Sequence, residues 1–231
     1  MLHGIPIALG YLSVSFGFGI MAVQAGLSAL AALGISATNL TSAGQAAGIA
    51  IIASGGSYLE MALTQLVINM RYSLMGISLS QKLDNTFNTP RRLIVSFGIT
   101  DEIFAVASAQ KGKITARYMY GMIFIAFVGW SAGTFLGAAA GSFLPVSLTN
   151  AMGIVLYAMF IAIIIPPAKK ERSVLIVVSI AALFAILFKY VFTSITSGFA
   201  IIISAVIASA VGALLFPISD EENGENEVTS N

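Results

Sequence analysis

Long apolar runs, each broken by a few small or polar residues, occupy nearly the whole chain. A helix that crosses a membrane needs about 20 mostly apolar residues. Six runs meet that length: 5–25, 57–79, 118–141, 146–165, 172–190 and 193–216. Pro6, Gly10, Gly17 and Gly19 loosen the first run, and Asn69-Met70-Arg71 interrupts the second. Pro166-Pro167 is expected to stop the fourth helix and Pro217 the last, because proline removes a backbone donor and crowds the preceding turn. Two further stretches do not fit a simple span. The first, 27–54, carries a polar patch at 36–45 and ends at Gly55-Gly56. The second, 93–109, is short and holds Thr100-Asp101-Glu102, with Gln110 just beyond. Membranes tolerate broken or re-entrant backbone only where protein or a cavity satisfies it. The expectation is an all-α, polytopic transmembrane helical bundle with 6–7 spans and one or two broken or re-entrant elements. No internal repeat is legible by eye.

Composition sharpens this picture. The chain is 58% hydrophobic and 9% charged, against about 25% charged residues in soluble domains. Its mean hydropathy is +0.94. Residues 1–218 read as a transmembrane transport domain and 219–231 as an acidic, disordered C-terminal tail. With no cysteine, a disulfide frame, a thiolate nucleophile and a Cys-based metal site are excluded. His3 is the only histidine and lies at the start of the chain, so no His-based metal or catalytic cluster is expected. No cofactor is implied. The start of the chain lacks a basic segment and a cleavage pattern, so it does not read as a removable signal.

The net charge of +1 hides an asymmetry. Five of the 10 acids lie in the tail, which leaves the rest of the chain at +6. The basic residues cluster at Lys82/Arg91/Arg92, Lys111/Lys113/Arg117 and Lys169/Lys170/Arg172. Loops rich in Lys and Arg stay in the cytoplasm. The first two clusters flank 93–109, so a segment that dips in and returns keeps both on one side, whereas a crossing puts one outside. The dip is the favoured reading. It places the third cluster and the C-terminus in the cytoplasm too. These short clusters fit membrane orientation, and no nucleic-acid role follows from them.

Candidate chemistry sits in three places. Asp101 and Glu102 are costly inside hydrocarbon, roughly 2.5–3.5 kcal/mol each on insertion scales. They also suit the first turn of a helix capped by Thr100, and a half-helix that starts inside the membrane satisfies both readings. Arg71 lies midway along an apolar run and stays charged. Asp101 or Glu102 is its natural partner, and snorkelling is the alternative. The patch 38–45 offers hydroxyls, amides and a helix start near Ser42 whose positive end suits a carboxylate. Gly44 and Gly48 equally fit close helix packing. Gly133, Gly137 and Gly141 read as a helix seam. Lys189 reads as a snorkelling residue, and Glu60 as a helix-start charge at the surface.

These residues together resemble the AzlC family, the large subunit of branched-chain amino acid exporters. The carriers are Gly10-Tyr11 with Phe16-Gly17-Phe18-Gly19; Ala25-Gly26-Leu27-Ser28; Ser36 followed nine residues on by Gln45; Asn69-Met70-Arg71; the basic loop 83–92; Thr100-Asp101-Glu102-Ile103-Phe104-Ala105; Trp130 with Gly133-Thr134-Phe135-Leu136-Gly137; and Ala158-Met159-Phe160. The likeness covers about 4–165. Tyr72 stands where the family often has histidine, which weakens a proton relay there, and the family's basic leader is missing. The resemblance implies a bacterial cell-membrane exporter of branched-chain and similar apolar amino acids, working with a small AzlD-type membrane subunit and not as an enzyme.

A zwitterionic amino acid needs an acceptor for its ammonium, donors for its carboxylate and an apolar pocket. Asp101 or Glu102 can hold the ammonium or a coupling proton. Arg71, Asn69, and the backbone and side chains of Ser42, Gly44 and Gln45 can hold the carboxylate. Phe16, Phe18 and Phe104 can line the pocket. No nucleotide-binding motif is present, so the proton gradient is the expected energy source. An intramembrane enzyme using the acid pair, and a channel or scaffold subunit that transports nothing, stay open as alternatives.

Overall fold

The computed structural model describes residues 2–141 and 143–217, with side chains described for only part of 146–163. The acidic tail expected at 219–231 lies outside the described residues. Ten α-helices and no strand occur among them. The chain divides into two compact units, Met1–Phe160 and Ile161–Asn231.

The first unit opens with α1 (Gly4–Gln24), α2 (Ala29–Thr38), α3 (Ser42–Ala53) and α4 (Tyr58–Ser80). It continues with α5 (Thr89–Phe97), α6 (Asp101–Ser108) and α7 (Ala116–Ala140). The two stretches expected to be broken are two broken elements, α2–α3 and α5–α6. Each breaks over three residues, Asn39-Leu40-Thr41 and Gly98-Ile99-Thr100. In each, the last of the three is an extended threonine whose Oγ1 accepts the amide hydrogen three residues on: Thr41 from Gly44, Thr100 from Ile103. That cap satisfies one of the helix-start donors that hydrocarbon cannot.

The glycines of α7 set the frame. A Cβ at Gly129 would lie 2.5 Å from the Ala8 carbonyl oxygen, one at Gly133 2.4 Å from that of Leu12, and one at Gly137 2.0 Å from that of Phe16. Both numbers of each pair rise together, so α1 and α7 run parallel with backbones touching. The glycine seam expected from the sequence is this contact.

Both broken elements are re-entrant. The backbone N–H of Ile114 donates to the Lys82 carbonyl and that of Asp84 to the Ile114 carbonyl, at 2.8 and 3.0 Å. Lys82 Nζ reaches the Ser108 carbonyl. The loops before α5 and after α6 therefore meet, and the segment returns to the face it left. His3 Nδ1 lies 2.9 Å from Tyr118 Oη, so the start of α1 belongs to this basic-loop face as well. At 1.5 Å per residue α5 and α6 reach only about 12–14 Å deep, roughly half a 30 Å hydrocarbon core. The other hairpin dips from the opposite face. It follows α1 across, and α3 runs antiparallel to α4, with Gly44 against Gln65 and Gly48 against Met61.

An inverted repeat that the sequence did not disclose emerges from this order. A long helix and a hairpin dipping from its far end (α1, α2–α3) are followed by the same pair in the opposite sense (α4, α5–α6). The repeats cross-bond at mid-depth. Tyr11 of α1 bonds Thr100, and Asn69 of α4 accepts a hydrogen bond from Thr41 at 2.8 Å.

Glu60 corrects the sequence reading, being 1% exposed and not at the surface. Gly55, at φ +68°, folds the end of α3 back over the first turn of α4. A Cβ at Gly56 would sit 2.6 Å from Ile51 Cγ2 and 2.8 Å from Glu60 Oε2.

α8 (Val146–Lys170) begins in the first unit and ends in the second. It runs through Pro166-Pro167, contrary to the expected stop. Proline obstructs the turn before it, but its own φ suits a helix, and the last turn closes through Glu171 N–H to the Pro167 carbonyl at 2.9 Å. In the second unit α9 (Arg172–Tyr190) and α10 (Ser197–Leu215) form an antiparallel pair, with Val177 packed on Gly212. α10 starts four residues later than its apolar run, because 191–196 form a turn.

Among the described residues α1, α7, α9 and α10 are long and apolar enough to cross a membrane. α4 matches them in length, at 23 residues, but carries Glu60 and Arg71. The architecture is a helical membrane bundle, as the hydropathy pattern implied.

Candidate functional site

The two hairpin turns meet midway along α1 and α4, and the intramembrane charges gather there. Arg71 Nη1 lies 2.6 Å from Asp101 Oδ2. Asp101, not Glu102, is the arginine's partner. Consecutive helical residues point about 100° apart, and α6 turns Glu102 toward α1 instead. There Tyr11 Oη lies 2.6 Å from Glu102 Oε2 and 2.5 Å from Thr100 Oγ1. Tyrosine has one proton. Donation to the carboxylate is the stronger, charge-assisted choice, which leaves the Thr100 hydroxyl to donate to the Tyr11 oxygen.

Arg71 has a second partner. Its Nη2 donates to Tyr72 Oη at 2.9 Å, and its guanidinium carbon lies 4.7 Å from the Tyr72 ring centre. Its Nε is buried with no hydrogen-bond acceptor among the described residues. Ser42, at the start of α3, lines the same small cavity as Asp101 and Glu102. Two helix N-termini, those of α3 and α6, thus open onto one place, and each carries partial positive charge that favours carboxylates.

The cavity holding Tyr11, Tyr72, Trp130 and both acids measures about 10 Å³. On this measure about 10–15 Å³ holds a single water molecule, so no amino acid fits there in this conformation. Beside it lies a polar cavity of about 170 Å³ between the two turns, bordered by Asn39, Thr41, Asn69, Tyr72 and Ser96.

The remaining expected site residues divide. Asn69 is at the centre: it accepts from Thr41 Oγ1 and donates to Gln65 Oε1 at 3.1 Å. Gly44 sits at the α3–α4 contact, its amide donating to Thr41 and its carbonyl accepting from Gln65 at 2.7 Å. Gln45 is fully buried and both ends of its amide are engaged. Its Oε1 accepts from Trp130 Nε1 at 3.0 Å and its Nε2 donates to Ser36 Oγ at 2.8 Å, which pairs with Thr134 Oγ1 at 2.7 Å. This chain of bonds ties α2, α3 and α7 together.

The three phenylalanines do not line the acids' cavity. Phe16 lies on the α1–α7 seam, Phe18 is buried with Ala22, Ala32 and Ile49, and Phe104 packs on the core around Ile103. The aromatic walls are Tyr11, Tyr72 and Trp130, with the Tyr11 and Trp130 rings edge-to-face at 5.2 Å. Sequence reasoning undervalued Tyr11 and Tyr72. Their signal was position, since each hydroxyl falls near the middle of an apolar helix, where it needs a partner.

Among the described residues no group of three or more His, Asp or Glu side chains could hold a metal ion.

The chain is similar to known proteins over most of its length. A family model described as "AzlC protein" matches residues 6–144. The inner membrane protein YgaZ of Escherichia coli is 29% identical, over 78% of this chain and 77% of the relative. An uncharacterized membrane protein of Archaeoglobus fulgidus is 30% identical, over 74% and 76%. Another from Helicobacter pylori is 27% identical, over 74% and 75%. No solved structure matches. The matched region contains the ion pair, both hairpin turns and the glycine seam, and the chain belongs to the AzlC family of membrane proteins.

Proposed function

We propose that this protein exports branched-chain and similar apolar amino acids across a bacterial cell membrane, driven by the proton gradient, and that it is a transporter subunit and not an enzyme. The observation that carries the reading is the Arg71–Asp101 ion pair at the junction of two re-entrant hairpins. A zwitterionic amino acid is complementary to that pair, because its ammonium competes for Asp101 and its carboxylate for Arg71. Entry exchanges one ion pair for two, so the charged groups stay compensated in a medium where an unpaired charge is costly. The unpartnered Arg71 Nε–H and the second amide N–H of Asn69, whose first goes to Gln65, add donors for the carboxylate.

Glu102 suits the coupling proton. Its hydrogen-bond partner is a neutral tyrosine hydroxyl, so protonation leaves no cation unpaired. The Lys and Arg of the basic loops support a cytoplasmic side for the face that holds Lys82, Arg92 and Lys113, and the proposal has the C-terminus on the same side. The resemblance supplies a small AzlD-type subunit as the working partner.

The test is isoleucine and valine export by cells making Asp101→Asn or Glu102→Gln at normal levels. Loss in both is expected. Substrate exchange that survives in Glu102→Gln while uphill export fails would match the division of labour. Full export by both variants would end the carboxylate role.

A further inference from the structure

A groove of about 450 Å³ runs between α4 and α5 from the basic-loop face toward the ion pair. Arg92 stands among its lining residues with an exposed side chain, and Ser73, Ser80 and Ser96 interrupt otherwise apolar walls. Its inner end is Tyr72, Ser96 and Ile99. Tyr72 also borders the polar cavity between the turns and the small cavity of the acids. Ser96 and Ile99 also border both the groove and the cavity between the turns, and Tyr72 is the one lining residue of the groove that reaches the acids' cavity.

The inverted repeat makes this groove informative. Its counterpart on the opposite face is the cleft between α1 and α2. That cleft is filled, with Phe18, Ala22, Ala32 and Ile49 between 0% and 4% exposed. Two equivalent passages are thus in opposite states: the one on the basic-loop face is open and the other packed shut.

Resting on the transport reading above, we propose that the α4–α5 groove is the vestibule through which an apolar amino acid reaches the ion pair from the basic-loop face, with Arg92 drawing its carboxylate inward and Tyr72 as the gate. The apolar walls suit an aliphatic side chain and the serines suit a solvated backbone end. A lipid would use the walls and could pair its phosphate with Arg92, but it has no use for a passage to Arg71 and Asp101. Opening toward the other face then requires this groove to close and the α1–α2 cleft to part.

The absence of native cysteine makes the test direct. Ser96→Cys, at the inner end, and Ser80→Cys are made in the full chain and placed in oriented vesicles. A charged, membrane-impermeant thiol reagent is expected to modify both from the basic-loop face and neither from the other. Isoleucine at ten times its half-saturating concentration should slow the reaction at Ser96→Cys about tenfold. Arg92→Gln should raise the isoleucine needed for protection about two- to fivefold, as for an exposed charge, and Arg92→Lys should restore most of it. Labelling from the wrong face overturns the vestibule, as does labelling by lipid-soluble reagent alone, which identifies a lipid groove. Vesicles that move isoleucine yet show no protection reject the vestibule and leave the transport reading intact. Vesicles that move no apolar amino acid, with or without a small subunit, reject both.

Discussion

Neutralising one member of the Arg71–Asp101 pair gives a sharp thermodynamic expectation. The two side chains are 36% and 28% exposed, so the pair is neither free in water nor sealed in protein. With charge centres about 4 Å apart and an effective dielectric near 20, the attraction is about 4 kcal/mol before desolvation is subtracted. Breaking a fully buried pair from one side costs about 3–5 kcal/mol, and an exposed pair is worth about 0–1 kcal/mol. Partial exposure puts the cost of Arg71→Gln or Asp101→Asn at about 1–3 kcal/mol, because each leaves one charge without its partner. The double variant leaves neither charge and should recover most of the loss, with a coupling of about 1–2 kcal/mol between neighbours. A change of 1 kcal/mol moves the melting temperature of a chain this size by about 2–4 °C. Thermal unfolding in detergent should thus show each single variant about 2–12 °C lower, with the double variant above either single. Transport should be lost in all three, since the double variant restores the fold and not the charges. Additive destabilisation in the double variant, or singles that melt with the parent, would refute the idea that the pair is energetically coupled.

Three further outcomes follow from particular contacts. Gly137→Ala puts a methyl 2.0 Å from the Phe16 carbonyl oxygen, whereas Gly10→Ala meets nothing within 4 Å. Overpacking costs about 1–3 kcal/mol or more and a helical Gly→Ala change gains about 0.5–1 kcal/mol, so size-exclusion yields after heating should fall for the first and hold or rise for the second. Tyr11→Phe removes the hydroxyl shared by Glu102 and Thr100 and should cost about 1–3 kcal/mol, read as a lower melting temperature with export impaired. Lys82→Cys and Lys113→Cys should react with impermeant reagent from the same face of oriented vesicles, because their loops are hydrogen-bonded together; reaction from opposite faces would mean that 93–109 crosses the membrane.

Much of the site is legible in the residues alone. Thr100 capping a helix that begins with two acids, a second helix starting at Ser42, and an arginine in need of a carboxylate all follow from residue chemistry and local pattern. What the residues do not reveal is the choice of neighbours. The aromatic walls come from Tyr11, Tyr72 and Trp130 in place of Phe16, Phe18 and Phe104, and Gln45 goes into a structural chain with Trp130 and Ser36. Composition shows that a side chain needs an apolar or polar partner but not which one it finds.

The sequence by itself determined the membrane class, the helices and the two breaks. Hydrophobic run length, capping residues and the cost of stranded polar groups act over a few residues and leave their mark locally. Only the tertiary structure decided that the basic loops around 93–109 meet, that α1 lies parallel to α7, that Asp101 and not Glu102 takes Arg71, and that Glu60 is buried. Each of those depends on helix rotation and register, and both are set by contacts between segments far apart in the chain: glycine against carbonyl on the α1–α7 seam, and Ile114 against Lys82 between the loops. The inverted repeat belongs to the same class, for its two halves share a path through space and the placement of one capping threonine more than they share residues.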